Sequence, residues 1–387
     1  MCRRGMFGRC DVKRVLFVAT IKRHIDLFHI PYLKWFKEQG WETSVCARNE
    51  CKNSDEGVIP HCDHFHDMPF ERNPFKVNNI KVYRDLKRLI ETNNYDIIHC
   101  HTPVGGLIAR LAARDFRKHG TKVIYTAHGF HFYKGAPLLN WILYYPIEKC
   151  FAHFTDCMIV INEEDYLLAK TKKFKAGLLI KTNGVGVDLS RFFPVSNEDK
   201  SALRTRHGYS DDEFILLYIA EFNKDKNHSF LLYALQKLMN EIPNVRLKLA
   251  GTGKLLPKIH ALACKLGVAN YVEFLGYRTD IPDLCKVADV LVSPSTREGL
   301  PINVTEGMAT GLPVACMDNR GHRELIRNGE NGFLIPASDL PAFIHAIKSL
   351  FNNPELCNKF GVAAAKDVQR FSLEKVIIQM VNLYSSW

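Results

Sequence analysis

The chain has 387 residues, 47% hydrophobic and 24% charged, an ordinary globular composition that excludes a fibrous or disordered chain and leaves room for two domains. The formal net charge is +11, and the first 190 residues hold 29 Lys and Arg against 20 Asp and Glu, so an anionic partner is expected on that half, either nucleic acid or an anionic lipid face. No run reaches the roughly 20 apolar residues of a membrane-spanning helix, and twelve scattered cysteines, with no Cys-x-x-Cys and no secretory leader, suit a reducing cytoplasm.

Residues 1–12 read as a basic leader, with Arg3, Arg4 and Arg9 and no apolar core. A buried strand over Lys13–Thr20 follows, then a helix over His29–Gly40 closed by glycine, and a strand over Thr43–Ala47. The spacing of Ile80, Tyr83, Leu86, Leu89 and Ile90 predicts a helix over Val77–Asn93. Asp96–His101 is a strand, Gly105–His119 a helix, Lys122–Thr126 a strand, Leu138–Phe154 a helix, Cys157–Ile161 a strand, Glu163–Lys173 a helix and Leu178–Thr182 a strand. Within these, Pro137–Pro146 (PLLNWILYYP) is rich in Trp, Tyr and Leu; it suits either a bilayer interface or a buried helix. Gly184–Asp212 is polar and irregular, a natural linker.

The alternation then begins again. Strands are expected at Phe214–Ala220, Arg246–Ala250, Val272–Leu275, Val290–Pro294 and Pro313–Cys316. Helices are expected at His228–Ile242, Leu255–Leu266, Ile281–Ala288, Ile302–Thr310, Leu340–Asn352 and Pro354–Phe371, with a helical turn at Arg323–Arg327. Continuous apolar strands alternating with helices predict an α/β chain with parallel sheets covered on both faces. The expected organisation is two Rossmann-like domains, 13–190 and 191–370, with a C-terminal helix over 371–387 packing back on the first. In such sheets ligands sit beyond the carboxyl ends of the strands, which are expected to face a central cleft.

The strongest motif is Ser293–Pro313, SPSTREGLPINVTEGMATGLP. The strand Val290–Pro294 delivers the chain to the carboxyl edge of its sheet, which puts Glu298 in a loop. Pro301 suits a first helical turn. The helix starting near Ile302 then aims its amides, with Leu300, Pro301, Ile302 and Asn303 around them, at a phosphate. Glu306, one turn in, can accept both hydroxyls of a ribose, and Glu298 the hydroxyls of a sugar. An unrelated acidic pair is the competing reading, but it leaves Gly299, Gly307 and Gly311 without a role.

Glu298 and Glu306, eight positions apart within that glycine and proline framing, resemble the signature of the retaining glycosyltransferase family 4, which has the GT-B fold; the resemblance runs from Val15 to the C-terminal helix. It implies transfer of a hexosyl or N-acetylhexosaminyl unit from a nucleotide-diphosphate sugar, a UDP-sugar by family habit. Leu216–Asn227 (LLYIAEFNKDKN) lies where the family keeps a diphosphate-binding Arg and Lys; Lys226 matches the lysine, and Glu221 stands where the arginine is expected, with Lys224 nearby. Leu249–Gly253 (LAGTG) is similar to the next strand and glycine turn, which assigns Gly251 and Gly253 to the donor. Tyr277 and Arg278 fall where the nucleobase is read. Tyr125–Tyr133 (YTAHGFHFY) gives His128 the place of a histidine beside the transferred sugar, with His131 its neighbour.

By this resemblance His128, Glu298 and Lys226 form the catalytic set. His101, at the end of its strand, and His131 are candidates for the acceptor. So are Lys22 and Arg23, in the loop after the first strand, where relatives keep glycines. The segments Asp96–Gly106 and Tyr125–Glu148 look like those of capsule and exopolysaccharide transferases. This implies a bacterial enzyme extending a polyprenyl-diphosphate-linked glycan while seated peripherally on the cytoplasmic face of the membrane, with no nucleic acid. No cofactor and no metal are expected, because Asp-x-Asp is absent and the spacing of His61–His66 (HCDHFH) fits no zinc site. A nucleotide-sugar epimerase of the same fold and a non-catalytic nucleotide-sugar-binding protein are the competing functions.

Overall fold

The computed structural model describes residues 12–50 and 58–387. The basic leader therefore lies almost wholly outside the described residues. The described chain forms two compact units, one of residues up to Thr182 together with Ile377–Trp387, the other Asn183–Val376.

In the first unit the strands are β1 (Arg14–Ile21), β2 (Glu42–Arg48), β3 (His64–Asp67), β4 (Ile97–His101), β5 (Lys122–Ala127), β6 (Cys157–Val160) and β7 (Leu178–Lys181). They form one sheet in the order β3-β2-β1-β4-β5-β6-β7, parallel throughout. The six central residues of β1 are all buried, as is all of β4, because helices cover both faces. The cores on the two faces are separate. One gathers Leu16, Val18, Leu86, Ile90 and Tyr125. The other gathers Val15, Phe17, Phe36 and Ile159 with Met380, Leu383 and Tyr384 from the final helix, Leu373–Ser385. Gln379 donates to the Lys181 carbonyl at 3.0 Å, and the Tyr384 ring lies 4.8 Å from Phe36.

The second unit repeats the plan with β8 (Phe214–Ile219), β9 (Val245–Ala250), β10 (Val272–Gly276), β11 (Val290–Ser293), β12 (Val314–Met317) and β13 (Gly332–Ile335). The order is β10-β9-β8-β11-β12-β13, again parallel. Each sheet thus reverses its strand order once, between β1 and β4 and between β8 and β11. At such a switch point the connecting helices leave on opposite faces, and the strand ends stay open to a ligand.

Both switch points are held by close backbone contacts. In the first unit, Thr102 adopts φ 62 and ψ 151, a conformation that costs a non-glycine residue about 1–3 kcal/mol. Its hydroxyl is joined to that of Thr20 at 2.7 Å and accepts the Thr20 amide at 3.0 Å, which ties the end of β4 to the end of β1. In the second unit Gly251 has φ 147, and a Cβ there would lie 2.0 Å from the Ala220 carbonyl oxygen. Gly251→Ala is therefore expected to lower stability by about 3 kcal/mol or more, measured as a drop in urea midpoint.

The structure departs from the sequence expectation in several segments, among them a helix over Asn197–His207 inside the expected linker Gly184–Asp212 and the strand β13, which was not expected. Ile21–Arg23, expected as a loop, ends β1 and begins a helix over Lys22–Phe28. This helix has no side-chain cap, so nothing in the sequence marks its start. His64–Asp67 is an edge strand, which its polar composition concealed. The apolar helix Leu138–Phe151 exposes Leu138 (74%), Leu139 (62%) and Ile142 (60%), so that face is not buried. Trp141 on the same helix packs onto Phe132. The helix is anchored by Glu148, whose carboxylate accepts from Arg110 at 2.9 Å and from the Tyr125 hydroxyl at 3.1 Å.

Candidate active site

In the second unit the loops leaving β8 and β11 are knitted together at the switch point. The Thr296 amide donates to the Asp225 carbonyl at 2.8 Å, and Arg297 pairs with Asp225 at 3.2 Å. Buried Tyr218 donates to the Lys226 carbonyl at 2.9 Å and is joined to Ser295 at 2.8 Å. This framework brings the Lys226 ammonium onto the Glu298 carboxylate as a direct ion pair. Their side chains are 24% and 10% exposed, so the pair is largely withdrawn from water.

Glu298 is fixed from behind as well. Arg320 donates to its carbonyl at 3.1 Å. A Cβ on Gly321 would meet the Glu298 Cβ at 2.7 Å, so only glycine lets the helix Arg320–Leu325 come this near. Asn319 caps that helix, accepting from the amides of Gly321 and His322 and donating to the Ser295 carbonyl at 2.8 Å. His322, fully buried, bonds the Met317 carbonyl through Nδ1 and Ser293 through Nε2 at 3.0 Å; burial pulls its pKa down. Tyr218, Ser295, Asn319, Arg320, Gly321 and His322 were invisible in the sequence as site residues, because their contacts cross between three strands.

The helix after the loop runs Ile302–Ala309, with Pro301 at its cap (φ −78, ψ 113) rather than inside the first turn. No side chain caps it and no acidic residue stands in its first turn, which leaves its opening amides to a ligand. Leu300 packs against Gly184, and Asn303 is buried. Glu306 is half-buried; desolvation pushes its carboxyl up to about 8, with Arg191 opposing. Gly251 and Gly253 bring the loop after β9 against that after β8, where the Phe222 amide donates to Thr252 at 2.8 Å. Tyr277 is 56% exposed. Arg278 is engaged by Asp280 at 2.7 Å. Glu221 and Lys224 are exposed.

In the first unit, His128 follows β5, and its Nε2 lies 3.3 Å from His24 Nε2 and 3.4 Å from His101 Nδ1. Burial pushes its pKa down to about 4. His101 is fully buried, so it does not offer the acceptor the surface contact expected of it. Lys22 is likewise withdrawn, 4% exposed and paired with Asp26 at 2.8 Å. Arg23 is exposed, and His131 stacks on Tyr144 at 4.6 Å.

The folded arrangement agrees with known proteins. Residues 14–162 match the family described as "Glycosyl transferase 4-like", and residues 199–367 match "Glycosyl transferases group 1". Over 375 residues, 97% of each chain, the sequence is 49% identical to EpsD of Bacillus subtilis (strain 168), whose name assigns it to the glycosyltransferases. The chain belongs to the glycosyltransferase family 4-like enzymes. It is an enzyme of the hexosyltransferase class with the GT-B fold of two parallel-sheet Rossmann-like domains.

A more distant relative is the UDP-Gal:alpha-D-GlcNAc-diphosphoundecaprenol alpha-1,3-galactosyltransferase of Escherichia coli, 28% identical over 80% of this chain and 82% of its own. Among solved structures, Anabaena Alr3699/HepE in complex with UDP and glucose superposes with a TM-score of 0.78 at 21% identity, over 97% of this chain and 100% of that one. Sucrose-phosphate synthase from Thermosynechococcus elongatus gives 0.80 at 20% identity, over 97% and 98%. At these identities the structures speak for the fold alone.

Proposed function

We propose that this glycosyltransferase moves a hexosyl or N-acetylhexosaminyl unit from a UDP-sugar to a polyprenyl-diphosphate-linked glycan, with retention of anomeric configuration, in surface polysaccharide synthesis. The observation that carries the reading is the Lys226–Glu298 pair beside the uncapped helix Ile302–Ala309 at the β8/β11 switch point. A cation, free helix amides and two carboxylates are what a diphosphate, a ribose and a sugar require. The E. coli relative, named for a UDP-galactose donor and a diphosphoundecaprenol-linked acceptor, supports the donor and acceptor classes.

In this reading the opening amides of the helix and Lys226 take the charge developing on the leaving diphosphate, each such donor being worth about 3–4 kcal/mol. Glu298 holds sugar hydroxyls, and Glu306 accepts from the ribose diol. Tyr277 and the backbone beside Arg278 meet the base. His128 stands on the acceptor side, near the transferred sugar. The departing phosphate oxygen removes the acceptor proton in a front-face displacement, since both carboxylates are occupied with hydroxyls. A screen of nucleotide sugars for thermal stabilisation and hydrolysis tests this; a response to none of them overturns it.

No helix among the described residues is long and apolar enough to cross a membrane. The exposed Leu138, Leu139 and Ile142 beside a basic half suit a peripheral seat on an anionic leaflet. Burying each such side chain is worth about 1.5–3 kcal/mol. A triple change of these residues to Glu is therefore expected to weaken binding to phosphatidylglycerol vesicles by at least about tenfold in a co-sedimentation assay, with hydrolysis of the donor unchanged.

A further inference from the structure

The first unit's switch point gathers histidines that no part of the transfer reaction uses as a group. His24 stands in the helix after β1 and His29 at the junction of that helix with the next. His101 ends β4, and His128 follows β5. One ring nitrogen from each lies within 4.8 Å of the others. A fifth, His99, is not free to join them. Its nitrogens are occupied by Tyr384 at 2.7 Å and Thr126 at 2.8 Å.

Two observations point to a missing ligand. Both nitrogens of His29 are buried without a hydrogen-bond partner, in a residue 2% exposed. Buried imidazole nitrogens ordinarily find partners, and leaving them orphaned costs about 1–3 kcal/mol each. The second observation is spacing. Four nitrogens placed tetrahedrally about 2.0–2.1 Å from a zinc ion are separated by about 3.3–3.4 Å; His128 Nε2 lies 3.3 Å from His24 Nε2 and 3.4 Å from His101 Nδ1, which makes Nδ1 the ligating atom of His101. The donor set is also chemically ready, because burial holds His24, His29, His101 and His128 well below the normal imidazole range and therefore neutral, the form that coordinates a metal.

We propose that His24, His29, His101 and His128 bind one divalent d-block cation, Zn2+ before others, joining the ends of β1, β4 and β5. All-imidazole coordination suits Zn2+, Cu2+ and Ni2+ rather than Mg2+ or Ca2+. The expectation of no metal came from the donor phosphates and from HCDHFH, neither of which includes these residues. Of these four residues only His128 is also given a part in the transfer reaction proposed above; His24 and His29 have none, and metal binding is read without any donor or acceptor present.

The test uses the full chain, stripped with EDTA and titrated with Zn2+ by calorimetry and with Co2+ by absorption. One ion per chain is expected, with the intense visible bands of four-coordinate Co2+ and no thiolate charge-transfer band. His24→Ala and His101→Ala should each weaken binding by at least about 100-fold, whereas the double change His64→Ala, His66→Ala on the edge strand should not. Circular dichroism checks the fold of each variant, and the Co2+ spectrum of the unmodified chain needs no variant. Absence of stoichiometric binding, binding indifferent to His24 and His101, or a thiolate band overturns the proposal. So does binding of inorganic phosphate in place of Zn2+, which would make the cluster an anion site.

Discussion

Replacing Lys226 with Met is expected to lower kcat by about 10²–10³-fold, through loss of about 3–4 kcal/mol of stabilisation at the leaving diphosphate. The same change strands the Glu298 carboxylate, 10% exposed, without its cation. Breaking a fully buried pair costs about 3–5 kcal/mol; with Lys226 24% exposed, about 2–3 kcal/mol is expected. The two effects separate in a double variant. Adding Glu298→Gln removes the stranded charge, so the urea midpoint should return toward the parent's while kcat does not recover. If the double variant is no more stable than Lys226→Met, the pair is not what holds the loop.

Glu306→Gln is expected to make the unliganded protein more stable at pH 7. The sign follows from the pKa. In the fold the carboxyl is held at about 8 by desolvation, whereas in the unfolded chain it titrates near its ordinary value of about 4.3. Between these pH values the unfolded state has lost a proton that the folded state keeps, so stability falls as pH rises through that window and levels off above 8. By pH 7 the loss is about 3–4 kcal/mol, and Gln, neutral at every pH, does not suffer it. Melting of the variant and its parent should coincide below pH 4 and diverge by several degrees at pH 7. Donor affinity should move the other way, weakening about 10–100-fold with the loss of charge-assisted bonds to the ribose. Equal pH profiles would mean that Glu306 is ionised in the empty site.

Much of the fold was legible because parallel strands buried on both faces are written as unbroken apolar runs. RVLFVATI and IIHCH need no partner to be read. HFHD carries no such run, since as an edge strand it is covered on only one side. The Glu298–Glu306 block was legible for a similar reason: its loop, cap and helix are contiguous, so their spacing survives in one dimension. The ion pair to Lys226, 72 positions away, needed the resemblance to suggest its lysine and the fold to supply its geometry. The histidine cluster needed the fold entirely. Residues 24, 29, 101 and 128 share nothing in sequence, and meet because β1, β4 and β5 are neighbours.

The final helix bears on how this chain is made. Residues Ile377–Trp387 complete the first unit, with Tyr384 closing over Phe36 and reaching His99. These residues leave the ribosome only after the whole of the second unit. At roughly 5–20 residues per second, the intervening Asn183–Val376 takes about 10–40 s to synthesise, during which the first unit waits with its β1-side core unsealed. A nascent first unit is thus an open structure whose closure waits on synthesis of the second, and a chain truncated before Ile377 would never seal it.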